Sequence, residues 1–121
     1  MRIFTSVSRY IQGPNVIDDL GKHCLDWGKT PLIITDEIIK ELLGERLQKS
    51  FDAVDTPLHL LTFPGEVTRA TIDKLTQIAV EKKADMIVGL GGGKALDTAK
   101  GVALAIESVM ISVPTIAATD A

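Results

Sequence analysis

Short, nearly continuous apolar runs alternate along the chain with longer segments in which apolar residues recur every three or four positions. The clearest runs are Pro31–Thr35 and Asp85–Leu90, and such runs are typical of strands buried on both faces of a sheet. Each run is followed by a segment in which apolar residues recur at helical spacing, over residues 38–47 and 94–108. The alternation predicts a parallel β-sheet that is covered by helices on both faces.

The remaining segments continue this alternation, which predicts an α/β fold of Rossmann-like architecture. Three further strands are predicted at residues 2–11, 58–61 and 109–113, the first of them partly exposed. Two helices are expected to begin near Pro14 and Thr68, since proline suits a first turn and threonine can cap a helix. The residues predicted to form buried helix faces are Val16, Ile17, Leu20 and Cys24, then Ile38, Ile39, Leu42, Leu43 and Leu47, and then Ile72, Leu75, Ile78 and Ala79.

Polar and glycine-containing segments follow four of the predicted strands. They are Asp36, Phe63–Gly65, Gly91–Lys94 and Thr115–Asp120. Right-handed crossovers place the carboxyl ends of parallel strands at one edge of the sheet, and ligands of such sheets bind along that edge. We therefore expect these four segments to lie near one another and to form the binding site.

A glycine-rich segment, Gly91, Gly92, Gly93 and Lys94, joins a predicted strand to a predicted helix. Glycines let a ligand approach the backbone, and a helix N-terminus beside a lysine favours an anion, so the segment is predicted to bind a phosphate or pyrophosphate. The alternative is a tight turn without a ligand, for which one glycine would suffice. Two standard motifs do not fit, because Lys94 stands at the last glycine of G-x-G-x-x-G and Ala95 replaces the hydroxyl residue of the P-loop.

Asp36 follows a strand of the same sheet and permits two interpretations. An acidic side chain there can accept hydrogen bonds from ribose hydroxyls and would repel a 2′-phosphate, which favours NAD over NADP. Aspartate is also a frequent helix N-cap, and the helix beginning next to it would need one. The residues by themselves leave both roles open.

Composition narrows the classes of function. The chain of 121 residues is 45% hydrophobic and 24% charged, which suits one globular domain. Its net charge of −3, without a basic patch, argues against a nucleic-acid partner, and its one cysteine excludes an internal disulfide. Because it contains neither a membrane-length apolar run nor a signal-peptide core, we expect a cytoplasmic protein that does not engage a membrane.

The segments 89–100 and 114–121, together with residues 9–13 and the Thr35-Asp36 strand end, resemble the iron-containing alcohol dehydrogenase superfamily, and Thr119-Asp120 resembles its glycerol-oxidising branch. The resemblance implies that residues 1–121 are an N-terminal nucleotide-binding domain. It further implies oxidation of a small polyol with NAD, assisted by zinc or another divalent ion.

The resemblance also assigns residues to roles. Asp36 would bind the adenosine ribose, Gly93 and Lys94 the pyrophosphate region, Thr115 the nucleotide and Asp120 the polyol. The family's metal ligands belong to a C-terminal helical domain, which we expect to be absent from this chain, so that the chain alone would be inactive. His23 and His59, far apart in the sequence, are not expected to bind a metal.

Two alternatives to a glycerol dehydrogenase remain. The chain could be a free-standing nucleotide-binding module without catalysis, or a relative that acts on hydroxycarboxylates or glycerol phosphate. The carboxylate of Asp120 disfavours an anionic substrate by repulsion between like charges. Apolar surface left exposed where a further domain would pack favours a homo-oligomer.

Overall fold

The computed structural model describes residues 8–13 and 15–115. Strands and helices alternate through this part of the chain as the sequence predicts. The elements are β1 (Ser8–Tyr10), α1 (Leu20–Leu25), β2 (Pro31–Thr35), α2 (Glu37–Asp52), β3 (His59–Thr62), α3 (Arg69–Glu81), β4 (Met86–Gly91), α4 (Gly93–Ile106) and β5 (Val109–Pro114).

The strands form a single parallel sheet in the order β1-β5-β4-β2-β3. From β2 the chain moves to β3 at one edge, whereas from β4 it moves to β5 on the other side. The direction of winding therefore reverses between β2 and β4, which places a crevice between their carboxyl ends. The parallel, Rossmann-like sheet expected from the sequence is confirmed.

Two hydrophobic cores lie on opposite faces of this sheet, because successive strand side chains point to opposite sides. In β2, Ile33 faces the core beneath α1 and α2, whereas Leu32 and Ile34 face the core beneath α3 and α4. The expectation of helices on both faces is thus confirmed. Among the described residues, no helix is long and apolar enough to cross a membrane.

The contact between α1 and α2 depends on two small residues. The backbone N–H of Gly21 donates a buried hydrogen bond of 2.8 Å to Ser50 Oγ. A Cβ atom at Gly21 would lie only 2.6 Å from the backbone oxygen of Ser50. Glycine is therefore required here by the close approach of the two helices.

The first helix is shorter than its apolar pattern indicates. Ile17 and Cys24 are buried as predicted, but α1 begins only at Leu20, after a series of turns. Asn15 has a φ of 70°, and Leu20 N–H donates to the carbonyl oxygen of Ile17 in a four-residue turn. The prediction of a helix from the region of Pro14 is wrong over residues 15–19, because turn geometry buries the same side chains; Pro14 itself lies outside the described residues.

The predicted face of α2 is partly wrong. Ile39, Leu43 and Leu47 are buried, but Ile38 is 67% exposed and Leu42 is 50% exposed. Each exposed residue precedes a buried one by a single position, which turns it about 100° away on a helix of 3.6 residues per turn. One face of a sheet cannot cover so wide an arc, so these two side chains remain in solvent.

Candidate functional site at the carboxyl edge of the sheet

The crevice between β2 and β4 brings together residues from distant parts of the sequence. Asp36 follows β2 directly, and Gly91 is the last glycine of β4. A Cβ atom at Gly91 would lie 3.9 Å from Asp36 Oδ2. Thr115 joins the same group, because its N–H donates a hydrogen bond of 3.1 Å to the carbonyl oxygen of Gly91.

Asp36 caps α2. Its Oδ1 accepts a hydrogen bond of 2.7 Å from the N–H of Ile39, and its backbone is extended, as an N-cap requires. Within residues 8–13 and 15–115, no group donates to the other carboxylate oxygen, Oδ2. One oxygen therefore serves the helix, while the second is available on the side of Gly91, so capping and ligand binding are compatible in this residue.

The three glycines of the glycine-rich segment differ in what the fold demands of them. Gly91 has a φ of +135°, and a Cβ atom there would lie 3.2 Å from the Cβ of Ala95, so the fold itself requires glycine. Around Gly92 and Gly93, a Cβ atom would meet nothing within 4 Å. The missing side chains at these two positions therefore leave open space in front of α4.

The N-terminus of α4 opens into that space without a side-chain cap. Gly92 is its N-cap residue, and its first turn carries no acidic side chain. The first backbone N–H groups of a helix lack intrahelical partners, and the helix dipole adds a partial positive charge to them. This end of α4 is suited to an anion.

Lys94 adds a full positive charge but extends away from the glycines. Its Nζ donates a hydrogen bond of 3.0 Å to the carbonyl oxygen of Gly65, in the connection between β3 and α3, and lies 3.9 Å from Glu66 Oε1. The side chain is 64% exposed, so the contact with Glu66 is a weak surface pair. Lys94 thus links the start of α4 to the neighbouring connection.

Thr115 brings a hydroxyl group to the end of β5. Its Oγ1 is buried and has no hydrogen-bond partner among the described residues. A buried hydroxyl left unpaired costs about 1–3 kcal/mol. The backbone bond to Gly91 places Thr115 next to the glycine-rich segment.

A cleft of about 330 Å³ lies beside these groups. Apolar side chains and the charged groups of Asp36 and Lys94 contribute to its walls, a combination typical of ligand sites. Its lining residues are Asp36, Glu37, Ile38, Phe63, Pro64, Gly65 and Lys94.

The structure adds residues that the sequence did not single out as part of the site. Thr35 Oγ1 donates a buried hydrogen bond of 2.7 Å to the carbonyl oxygen of Leu90, which ties β2 to β4 below the crevice. Thr62, the last residue of β3, donates through Oγ1 to Glu37 Oε1 at 2.5 Å. Both β2 and β3 end in a threonine, and this pattern could have indicated the two contacts from the sequence. Hydroxyl groups at these positions can form hydrogen bonds across strand ends.

Asp120 and the two histidines are the remaining residues that the sequence analysis considered. Asp120, the predicted polyol contact, lies outside the described residues. His23 lies in α1 and His59 begins β3, and the described part of the chain contains no group of three or more His, Cys, Asp or Glu side chains that could hold a metal ion.

Comparisons with known proteins agree with one another. The family model described as iron-containing alcohol dehydrogenase matches residues 7–121. A glycolaldehyde reductase of Halobacterium salinarum is 39% identical over 98% of this chain and 33% of its own length. A glycerol dehydrogenase of Thermotoga maritima is 39% identical over 93% of this chain and 30% of its own length.

Solved structures show the same relationship. The crystal structure of a probable glycerol dehydrogenase from Sinorhizobium meliloti superposes with a TM-score of 0.77 at 31% identity, over 95% of this chain and 30% of that one. An iron-containing alcohol dehydrogenase from Thermococcus thioreducens, at 16% identity and a TM-score of 0.75, shares the fold over 93% of this chain and 36% of that one. The chain spans about one third of the length of the curated relatives that it matches.

Proposed function

The chain belongs to the iron-containing alcohol dehydrogenase family, and on that basis we propose that it is the NAD-binding part of a metal-dependent polyol dehydrogenase. The reaction proposed for the whole enzyme converts glycerol and NAD to dihydroxyacetone and NADH. The observation that carries the proposal is the uncapped N-terminus of α4, which opens beside Asp36 and Thr115 at the point where the sheet reverses its winding.

The pyrophosphate and the adenosine ribose of NAD each have a suitable partner at this edge. The pyrophosphate would lie against Gly91, Gly92 and Gly93, where the first N–H groups of α4 donate to its oxygens. Asp36 Oδ2 would accept from the adenosine ribose. Thr115 Oγ1 would complete its hydrogen bonding with the nucleotide, since no described residue does so.

Lys94 would stabilise the pyrophosphate without giving up its present contact. An ammonium group has three donors, so Nζ can bond to the carbonyl oxygen of Gly65 and to a phosphate together. The cleft between Asp36 and Pro64 offers room for the adenosine end of the cofactor. These residues bind and orient, and the described part of the chain holds the cofactor rather than transforming it.

The bound cofactor would supply the redox chemistry, in which the nicotinamide accepts a hydride from the carbinol carbon while the hydroxyl group loses its proton. Zinc or another divalent ion is proposed to polarise the hydroxyl oxygen in the whole enzyme. No described residues form a ligand set for that ion, so its ligands are assigned to no residue here. Asp120 stays the proposed polyol contact, and cytoplasmic location and homo-oligomerisation stay predictions.

Calorimetry with ADP-ribose tests the binding proposal directly. Lys94→Ala should weaken binding by about 1.5–3 kcal/mol, because a hydrogen bond to a charged group is lost. Lys49→Ala is the matched control, since Lys49 lies in the last turn of α2, at the far end of that helix from the crevice. Equal affinity of the wild-type chain and Lys94→Ala would contradict the assignment.

A second candidate is the reduction of a short hydroxyaldehyde. The relative named glycolaldehyde reductase matches 98% of this chain at 39% identity and favours it. Both candidates use the same cofactor site, so ADP-ribose binding supports them equally. Rates with glycerol and with glycolaldehyde, measured on an enzyme that contains this chain and the rest of the family fold, would separate them.

A further inference from the structure

We propose that Glu37 is a second specificity-determining residue, which acts beside Asp36 to exclude a 2′-phosphate from the nucleotide site and is held in position by Thr62. The inference rests on the proposed function, because it concerns the choice between NAD and NADP at the same cleft. It goes further by assigning a role to a carboxylate that the sequence did not single out.

The position of Glu37 is set by two strands. It is the first residue of α2, directly after Asp36, and lines the same cleft. Thr62 is the last residue of β3 and pairs with Thr35, the last residue of β2. The hydroxyl group of Thr62 donates to Glu37 Oε1 at 2.5 Å, which directs this exposed carboxylate over the ends of both strands.

The charges around the cleft favour an uncharged ribose. Asp36 and Glu37 present two carboxylates on consecutive residues, and the group that Thr62 donates to Glu37 is an uncharged hydroxyl. Lys94 is the one cation among the residues lining this cleft, and the proposed function already assigns its charge to the pyrophosphate. Dinucleotide folds that accept NADP instead place an arginine near the 2′-phosphate.

The size of the effect follows from Coulomb's law. A phosphate monoester carries about −1.5 to −2 charges at pH 7. One exposed carboxylate several ångströms away, in surroundings with a dielectric close to that of water, changes its binding by about tenfold. Asp36 and Glu37 together should therefore exclude NADP more strongly than Asp36 does by itself.

A purely structural role for Glu37 predicts a different result. A carboxylate in the first turn of α2 also interacts favourably with the helix dipole. Loss of that interaction would change the affinities for phosphorylated and unphosphorylated nucleotide alike. The ratio of the two affinities therefore separates specificity from stability.

The experiment measures the affinities of the chain for ADP-ribose and 2′-phospho-ADP-ribose by calorimetry. Glu37→Gln should reduce the preference for ADP-ribose by about tenfold while its affinity for ADP-ribose stays close to wild type. Thr62→Val should reduce the preference by less, because the carboxylate stays but is no longer held. Glu45→Gln, the same charge change about 12 Å further along α2, should leave the preference unchanged.

The outcomes separate this inference from the proposed function. If Glu37→Gln keeps the wild-type preference, or changes both affinities equally, Glu37 is not a specificity determinant, although ADP-ribose binding still supports the cofactor site. If neither the wild-type chain nor any variant binds ADP-ribose, both proposals are wrong. A tenfold relaxation in Glu37→Gln, with Glu45→Gln unchanged, supports the inference.

Discussion

The hydroxyl group of Thr35 donates a hydrogen bond of 2.7 Å to the backbone carbonyl oxygen of Leu90, and both residues are fully buried. The bond joins β2 to β4 one residue beyond Ile34 and Gly89, the last paired positions of the two strands. It lies next to Asp36 and Gly91 in the chain. The two strand ends that border the crevice are thus held together by a side chain.

Thr35→Val should destabilise the protein, since valine keeps the shape of threonine but removes the donor. We expect the free energy of unfolding to fall by about 1–2 kcal/mol in urea denaturation. Thr76→Val is a matched control, because that hydroxyl bonds to the carbonyl oxygen of Ile72 within α3. If the two variants lose the same free energy of unfolding, the hydrogen bond between β2 and β4 contributes no more to stability than one within a helix.

Gly93→Ala should separate stability from binding. Alanine at the first position of α4 meets nothing within 4 Å and reduces the entropy of the unfolded chain, so the free energy of unfolding should rise by about 0.4–1 kcal/mol. The added methyl group would occupy the space proposed for the pyrophosphate and should cost about 1–3 kcal/mol of ADP-ribose binding. Thermal unfolding and calorimetry measure the two effects.

Gly91→Ala is the counterpart of that variant. Its φ of +135° strains any side chain, so this substitution should lower the free energy of unfolding by about 1–3 kcal/mol. If Gly93→Ala destabilises the protein as much as Gly91→Ala does, the glycine at position 93 serves the fold and not a ligand.

Two substitutions of Asp36 should separate its role as a helix cap from its proposed role in selecting NAD over NADP. Asp36→Asn keeps an acceptor for the N–H of Ile39, so stability should change little, while the preference for NAD over NADP should relax. Asp36→Ala removes the cap as well and should cost about 1 kcal/mol of stability. Urea denaturation and calorimetry with the two nucleotides test this, and an unchanged preference in Asp36→Asn would leave Asp36 as a helix cap only.

Because of Cys24, the stability of the protein should decrease at alkaline pH. Burial raises the pKa of the Cys24 thiol from 9.0 to about 12. The unfolded chain therefore ionises first, and the free energy of unfolding should decrease as the pH rises from about 9 towards 12. Denaturation at pH 8 and pH 10.5 measures the change, and Cys24→Ala subtracts the contribution of other groups.

The same residue should be unreactive in the native protein. Its side chain is fully buried, so a thiol reagent at pH 8 should modify it only after denaturant is added. Rapid modification of the native chain would contradict both the burial of Cys24 and the raised pKa.

The sequence predicted the central strands well, because β2 and β4 are buried on both faces and consist of apolar residues and glycine except for Thr35. It placed the glycine-rich segment and Asp36 at the carboxyl edge of the sheet for a related reason, since both come at strand ends, and their roles in ligand binding stay predictions. The residues at which helices begin were harder to predict from the sequence. A series of turns before Leu20 buries the same apolar positions that a helix would, and a hydrophobic pattern cannot distinguish the two.

The side-chain links of the site could not be predicted. Thr35 and Leu90 are 55 positions apart, and Glu37 and Thr62 are 25 positions apart. Such pairs depend on which strands become neighbours and in which register, and no local pattern carries that information. The direction in which Lys94 extends, towards Gly65, depends in the same way on the connection after β3.

The pairing of β1 has a consequence for the order of folding. Among the described residues this edge strand pairs with β5 alone. Ser8 lies opposite Met110, and nearly the whole described sequence separates the two residues. Closing so large a loop is entropically expensive and is not rewarded until β5 has joined β4. We therefore expect β1 to be the last strand to dock during folding and the first to detach in native-state hydrogen exchange.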